Sequence, residues 1–266
     1  MDGGGNGRAT GRERRVELRR GADRPRTEHA GCDARHGFSF GAHYDPANTF
    51  FGALLAHNDE RVAPGAGYDT HTHDEVDLVT WVVSGELAHT DSLGNACVVR
   101  PGTAQVLSAG TGVEHAERCG GAAPVRFVQA WLVPDRPLQE PALARRDVAG
   151  ELASGRPFLV ASGSVTAARA GDGPLPLRRA DAELHAARLP AGAAWTLPEA
   201  PYLHVFLAAG RAVTPAGELG GGDELRVSAP VVGSARVASA GRPALTAGPE
   251  GAEVLVWAMG SDLRPV

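Results

Sequence analysis

The residues best suited to chemistry lie between Thr70 and Glu117. One end of this stretch carries His71-Thr72-His73 and the other carries His115-Ala116-Glu117. In a β-strand, residues i and i+2 point to the same face, so each triplet projects two donors from one strand. Strands that face each other would bring together three imidazoles and one carboxylate. That donor set suits a divalent transition ion such as Fe(II), Mn, Ni, Cu or Zn. Four protein donors leave one or two positions open on a five- or six-coordinate ion, which suits substrate and dioxygen better than structural closure. A lone His-x-His in a strand is more often a half-exposed pair with no metal. The second pair, joined to the first by turns that place both in one barrel, favours the metal.

Other candidates carry less. His89 precedes an Asp-Ser turn and reads as structural, its ring bonding the backbone. His36, His43 and His57 read as ordinary packing rather than the mouth of a cavity. Cys119 shares the alternation of His115 and Glu117 and reads as a small apolar thiol at a strand end. No Gly-x-Ser-x-Gly elbow supports a serine hydrolase, and no glycine-rich phosphate loop opens a helix.

Short strands must position these donors. From Val76 to Val83 (VDLVTWVV) the chain is β-branched and aromatic, a strand by composition. Ser84-Gly85 bends it, Glu86 to Asp91 continues it, and Ser92-Leu93-Gly94-Asn95 turns it. Cys97 to Arg100, Ala104 to Ser108 and Val113 to Arg118 follow as strands between glycine turns, and Val125 to Val133 is a long buried strand. Upstream, Arg15 to Leu18 alternates like a short strand, Asp45-Pro46-Ala47-Asn48 is a turn, Gly52 to His57 is a strand, and Pro64 to Gly67 is a loop leading to His71. Strands this short, joined by tight turns, make an antiparallel jelly-roll barrel that can hold a ligand site inside.

With 266 residues, the chain is long enough for one large or two modest domains, and 35 glycines with 19 prolines punctuate it throughout. The expectation is an all-β protein of two tandem barrels with few short helices. Residues 1–14 are a disordered basic tail, 15–140 the metal-binding barrel, 141–177 a linker or crossover, and 178–266 a second, degenerate barrel. Within the crossover, Phe158 to Ala161 reads as a strand and Arg169 to Pro176 as loop. The second block repeats the rhythm of the first in Leu203 to Ala208, Glu224 to Val227 and Val254 to Ala258, separated by Gly210, Gly217 and Gly220 to Gly222. It holds only His185 and His204, with no His-x-His, and so lacks a comparable ligand set.

A formal net charge of -5 gives no reason to expect nucleic acid or an acidic membrane surface as a partner. No apolar run approaches the roughly 20 residues of a membrane span, and the N-terminus lacks an apolar signal core. The odd set Cys32, Cys97 and Cys119 reads as reduced thiols in a cytoplasmic protein.

The segment HTHDEVDLVTWVVSGELAHTDSLGNACVVRPGTAQVLSAGTGVEHAERC resembles the pirin family of the cupin superfamily. The likeness rests on His-x-His, the SGEL-H-DSLGN hairpin, RPG, SAGTG and the closing His-x-Glu, with HGFSFGAHYDP upstream and VQAWLVP downstream. It is specific from about Val16 to Asp135 and looser from Arg156 to Met259. The resemblance implies a bicupin in which only the N-terminal barrel binds metal, through His71, His73, His115 and Glu117. It also implies Fe(II), with Mn, Ni, Cu, Zn or Co as alternatives. Some members of the family cleave the flavonol quercetin with dioxygen and release carbon monoxide, whereas others are nuclear cofactors that sense metal redox state. This chain departs from the family pattern at Thr72, where proline is frequent, at Arg118, where an aromatic is common, and in the negative charge of Asp74-Glu75.

The expected activity is a quercetin 2,3-dioxygenase-like oxidoreductase acting on a small aromatic substrate and O2, with Glu117 either remaining a ligand or swinging to take the substrate proton. The rival expectation is a non-enzymatic iron and redox-sensing regulatory protein. A flavonol-sized cavity beside the metal, on the order of 300 Å³ or more, separates the two.

Overall fold

The computed structural model describes residues 14–164, 173–228 and 243–263. The basic tail expected over 1–14 lies outside these up to residue 13, as does the 169–172 part of the expected loop. In chain order the strands are β1 (Arg15–Arg19), β2 (Arg26–His29), β3 (Cys32–His36), β4 (Leu54–Val62), β5 (Gly67–His73), β6 (Asp77–Ser84), β7 (Leu87–Asp91), β8 (Ala96–Val99), β9 (Thr103–Ser108), β10 (Val113–Cys119), β11 (Val125–Leu132) and β12 (Ala142–Asp147). One short helix, α1 (Ala149–Ala153), precedes β13 (Phe158–Ser162), β14 (Leu175–Pro176), β15 (Ala182–Leu189), β16 (Ala194–Thr196), β17 (Tyr202–Thr214), β18 (Gly217–Gly220), β19 (Glu224–Ser228) and β20 (Ala244–Met259).

The first barrel is made of two sheets, a four-stranded one in the order β5-β10-β7-β8 and a seven-stranded one in the order β12-β9-β6-β11-β4-β3-β2. Cys32, Val62, Val82, Leu87, Val99, Cys119, Val125 and Phe127 form one buried cluster drawn from both sheets, so the barrel closes around an apolar end. The second barrel is a nine-stranded sheet following β1-β19-β17-β20-β15-β13-β14, with β16 on β20 and β18 on β17. Its interior is filled by Leu203, Val205, Leu207, Leu225, Val227, Val254 and Val256.

Alternation along the strands explains how the barrels join. In β17 and β20, the residues between those interior ones (Phe206, Ala208, Leu255, Trp257 and Met259) belong to a different cluster. There they pack against Val79, Trp81, Val128 and Ala130 of β6 and β11. Strands β6 and β11 are therefore covered on both faces, by their own barrel and by its neighbour. A strand buried on both sides reads as a near-continuous apolar run rather than as alternation, and VDLVTWVV and VRFVQAWLV do so, interrupted only by Asp77 and Thr80 and by Arg126 and Gln129.

Some elements depart from the sequence reading. Strand β1 is hydrogen-bonded to β19, in the sheet of the second barrel, through five register pairs from Arg15–Ser228 to Arg19–Glu224. The linker expected over 141–177 contributes β12 to the first barrel and β13 to the second. Gly210 lies inside β17, at a φ of 78° and next to a register shift, so it bends a long strand instead of ending one. The Asp45–Asn48 turn is present, closed by Asn48 N–H donating to the Asp45 carbonyl at 2.9 Å. Among the described residues no helix is long and apolar enough to cross a membrane.

Polar ties also cross between the barrels. Arg126 donates from Nε and Nη2 to the two oxygens of Asp59, each at 2.8 Å, and from Nη1 to the Ala208 carbonyl of β17 at 2.7 Å. Asp59 is buried, so removing the guanidinium strands a carboxylate. Arg126→Ala should cost about 2–3 kcal/mol in equilibrium urea unfolding, and most of that loss should return in Asp59→Leu/Arg126→Met.

Candidate metal centre

Antiparallel pairing of β5 with β10 sets His71 directly opposite His115, and His73 opposite Val113. A register shift between His115 and Glu117 then brings Tyr68 opposite Glu117. The three histidine rings sit with centroids 4.5–5.0 Å apart, and one nitrogen from each lies within 4.8 Å of the others. Glu117 joins a second, overlapping group with His115 and His89, whose donor atoms also lie within 4.8 Å of one another. His115 is thus the shared member. Glu117 converges on His115 rather than on all three histidines at once.

The protonation pattern leaves lone pairs aimed inward. His71 Nδ1 lies 2.7 Å from the Asp69 carbonyl, which can only accept, so Nδ1 carries the hydrogen and Nε2 is free to donate electrons. His73 Nε2, both nitrogens of His115 and Glu117 Oε1 are buried with no hydrogen-bond partner. Buried polar atoms are rarely left so, and these four come from the same site. Burial, followed by the neighbouring histidines, lowers the His73 imidazole to about 4 and that of His115 to about 3. Both rings are neutral at physiological pH, the form a metal requires.

Glu117 is 3 % exposed. Burial raises its carboxyl to about 7, opposed by the hydrogen bond from Gln129. That bond runs from Gln129 Nε2 to Glu117 Oε2 at 2.8 Å. Trp131 Nε1, which can only donate, reaches Gln129 Oε1 at 2.9 Å and so fixes which end of the amide faces Glu117. Sequence reasoning gave Gln129 and Trp131 no place at the site. Their only signal is their alternation on β11.

His89 differs from expectation. Its Nε2 bonds the Asp91 carboxylate at 3.1 Å instead of the backbone, and its Nδ1 faces Gln105 Nε2 at 3.5 Å. With both nitrogens engaged and its ring 5.5 Å from that of His115, it buttresses the site more readily than it could enter it. Cys119 faces the apolar end of the barrel, and its thiol reaches the Ala123 carbonyl at 3.2 Å.

His71, His73 and Glu117 open on a cavity of about 370 Å³ whose walls include Ala34, Phe40, Phe127 and Trp131, together with His36, Asn58, Glu60 and Tyr68. His36 thus lines the cavity, where sequence reasoning had it as packing. Its Nδ1 bonds Asn58 Oδ1 at 3.0 Å and its ring stacks on Phe40 at 4.8 Å.

A second group, His57, His204 and Glu224, lies fully buried between the barrels. Arg226 pairs with Glu224 at 2.6 Å and Arg24 approaches it at 3.8 Å. With Arg19 also at 3.8 Å, three guanidiniums already answer the single carboxylate, so a further cation there would meet net repulsion. The donor chemistry singles out the cluster on β5 and β10.

The pirin family model matches residues 18–132. A Mycobacterium tuberculosis protein provisionally named quercetin 2,3-dioxygenase is 42% identical over 250 residues, spanning 93% of this chain and 96% of that protein. The quercetin 2,3-dioxygenase of Escherichia coli K12 is 36% identical over 121 residues, 45% of this chain and 52% of that protein. The crystal structure of an Escherichia coli bacterial pirin in complex with nickel(II) superposes with a TM-score of 0.78 at 25% identity, covering 93% of this chain and all of that one.

A carboxyl raised by burial holds its proton in the folded state and not in the unfolded one, so stability falls as pH rises from about 4.5 to about 7. In metal-free protein, Glu117→Gln should therefore be more stable than wild type by about 2–3 kcal/mol at pH 8, with little difference near pH 4.5, by urea unfolding at both pH values.

Proposed function

The chain belongs to the pirin family, and from that premise we propose that it is a metal-dependent dioxygenase cleaving flavonol-like aromatic substrates with O2. The observation that carries this is a set of buried donor atoms without partners at the wall of a largely apolar cavity of about 370 Å³. His71, His73, His115 and Glu117 are the proposed ligands, and Fe(II) the proposed ion. A divalent ion held there would supply Lewis acidity, stabilising a substrate hydroxyl as its anion and orienting it toward dioxygen.

The protein's own groups do the rest. Phe40, Phe127 and Trp131 offer apolar and aromatic surface to a flat substrate and keep water scarce. The edge-on contact of Trp131 with His73, with centroids 4.8 Å apart, stiffens that ligand. Glu117 is the group placed to accept the substrate hydroxyl proton. Released from the ion, it can take that proton, and Gln129 Nε2 steadies the carboxylate. The cavity volume exceeds the flavonol-sized threshold and favours catalysis over a purely sensing role. The free thiols of Cys32, Cys97 and Cys119 fit a reducing compartment, and the cytoplasm is the proposed location.

Iron-loaded protein in an oxygen electrode should consume O2 with a flavonol, and elemental analysis should find one divalent ion per chain. His73→Ala should lose both. A fully loaded protein that consumes no oxygen over a flavonoid and catechol panel would contradict the enzymatic reading.

A further inference from the structure

The cavity holds a second carboxyl that the proposed chemistry does not use. Glu60 lies on β4 two residues from Asn58, on the same face, directly opposite Phe127 of β11 and Ala34 of β3. It is 6 % exposed, and that remaining surface opens into the cavity. Tyr68 donates its hydroxyl to Glu60 Oε2 at 2.6 Å. No cation pairs with Glu60 among the described residues, although Asp59 beside it is clamped by Arg126.

A buried carboxyl on an apolar wall costs stability unless its oxygens are answered. Tyr68 answers part of the demand. A carboxylate has about four acceptor sites, so capacity is left over on the cavity side. Burial raises the carboxyl to about 7, so near neutral pH it is available both to accept a hydrogen bond and, protonated, to donate one. Its position along the barrel is defined by register. Gln129, which holds Glu117, faces Asn58 across the sheet, and Glu60 is two residues further along β4, on the order of 7 Å. That offset is comparable to the span of an aromatic ring.

We infer that Glu60, oriented by Tyr68, is a specificity-determining residue that selects substrates bearing a second hydroxyl on the side of the aromatic nucleus remote from the oxygen that meets the histidines. The inference rests on the proposal that this cavity takes a flavonol-like substrate. It narrows the substrate class to polyhydroxylated aromatics over ones whose sole hydroxyl is consumed at the metal. Glu60 is distinct in role from Glu117. It touches the distal end of the substrate and takes no part in holding the ion.

The test compares two probes, quercetin and 3-hydroxyflavone, which carry the same metal-binding hydroxyl and differ in the distal ones. Dissociation constants are read anaerobically on metal-loaded protein by quenching of tryptophan fluorescence, with metal content measured on the same samples. Wild type should prefer quercetin by about tenfold or more, the size of one well-placed hydrogen bond to a charged group. Glu60→Leu/Tyr68→Phe, which leaves no stranded phenol, should bring the ratio to about one while keeping its metal. Should the double variant fail to fold, Glu60→Gln decides, and a ratio reduced at least threefold supports the assignment. A ratio unmoved in a variant that keeps its metal would overturn the role of Glu60 and leave the flavonol site standing. Failure of wild type to bind either probe would overturn both.

Discussion

Antiparallel pairing of β5 with β10 is the constraint on which the rest of the site depends. With His71 across from His115, the two pairs share one side of a sheet, and a slip of one residue would turn one strand's donors to the other face. What secures the register is packing at the ends of the pair. Val113 is buried with Leu78 and Leu107 at one end, and Cys119 is buried with Leu87 and Val125 at the other. At Gly67 a β-carbon would come within 2.4 Å of the Glu117 carbonyl and 2.6 Å of Arg118 Cα, so glycine lets the strands approach closely.

The two barrels divide the labour through what fills them. The second is packed with leucine and valine and contributes a rigid apolar face to the first. The first gives up part of its interior to a cavity and to groups that are unfavourable to bury, namely Glu117, Glu60 and imidazoles with unpaired nitrogens. A barrel hollowed this way gains from a neighbour that covers its back sheet. Trp81 Nε1 reaching Glu253 Oε1 at 2.8 Å is one point where the two are joined. Function here costs local stability, and the interface between the barrels offsets it.

Much of this was legible in the residues themselves. The strands from β6 to β11 follow from apolar runs cut by glycine turns, and the His-x-His and His-x-Glu triplets announce their own facing. Three kinds of feature were not legible. Strand β1 alternates plainly, but nothing local says that its partner is β19, more than two hundred residues on. In the hairpin of β2 and β3, the exposed strand RTEH is polar throughout and gives no apolar pattern to read, and CDARH is too short to stand out. At the site, the metal donors stand in a motif, whereas Gln129, Trp131, Glu60 and Tyr68 are single residues on different strands. They become neighbours only once the sheet is paired. His89 shows the same limit, since its nearness to Asp91 was visible in sequence but its place opposite Glu117 was not.

Anomalous diffraction at the absorption edge of the loaded metal would locate the divalent ion proposed between β5 and β10 of the first barrel. A single strong peak per chain is expected within about 2.0–2.2 Å of nitrogens of His71, His73 and His115 and of a carboxylate oxygen of Glu117. A peak between His57 and His204, or no ordered peak in protein that elemental analysis shows to be loaded, would contradict it.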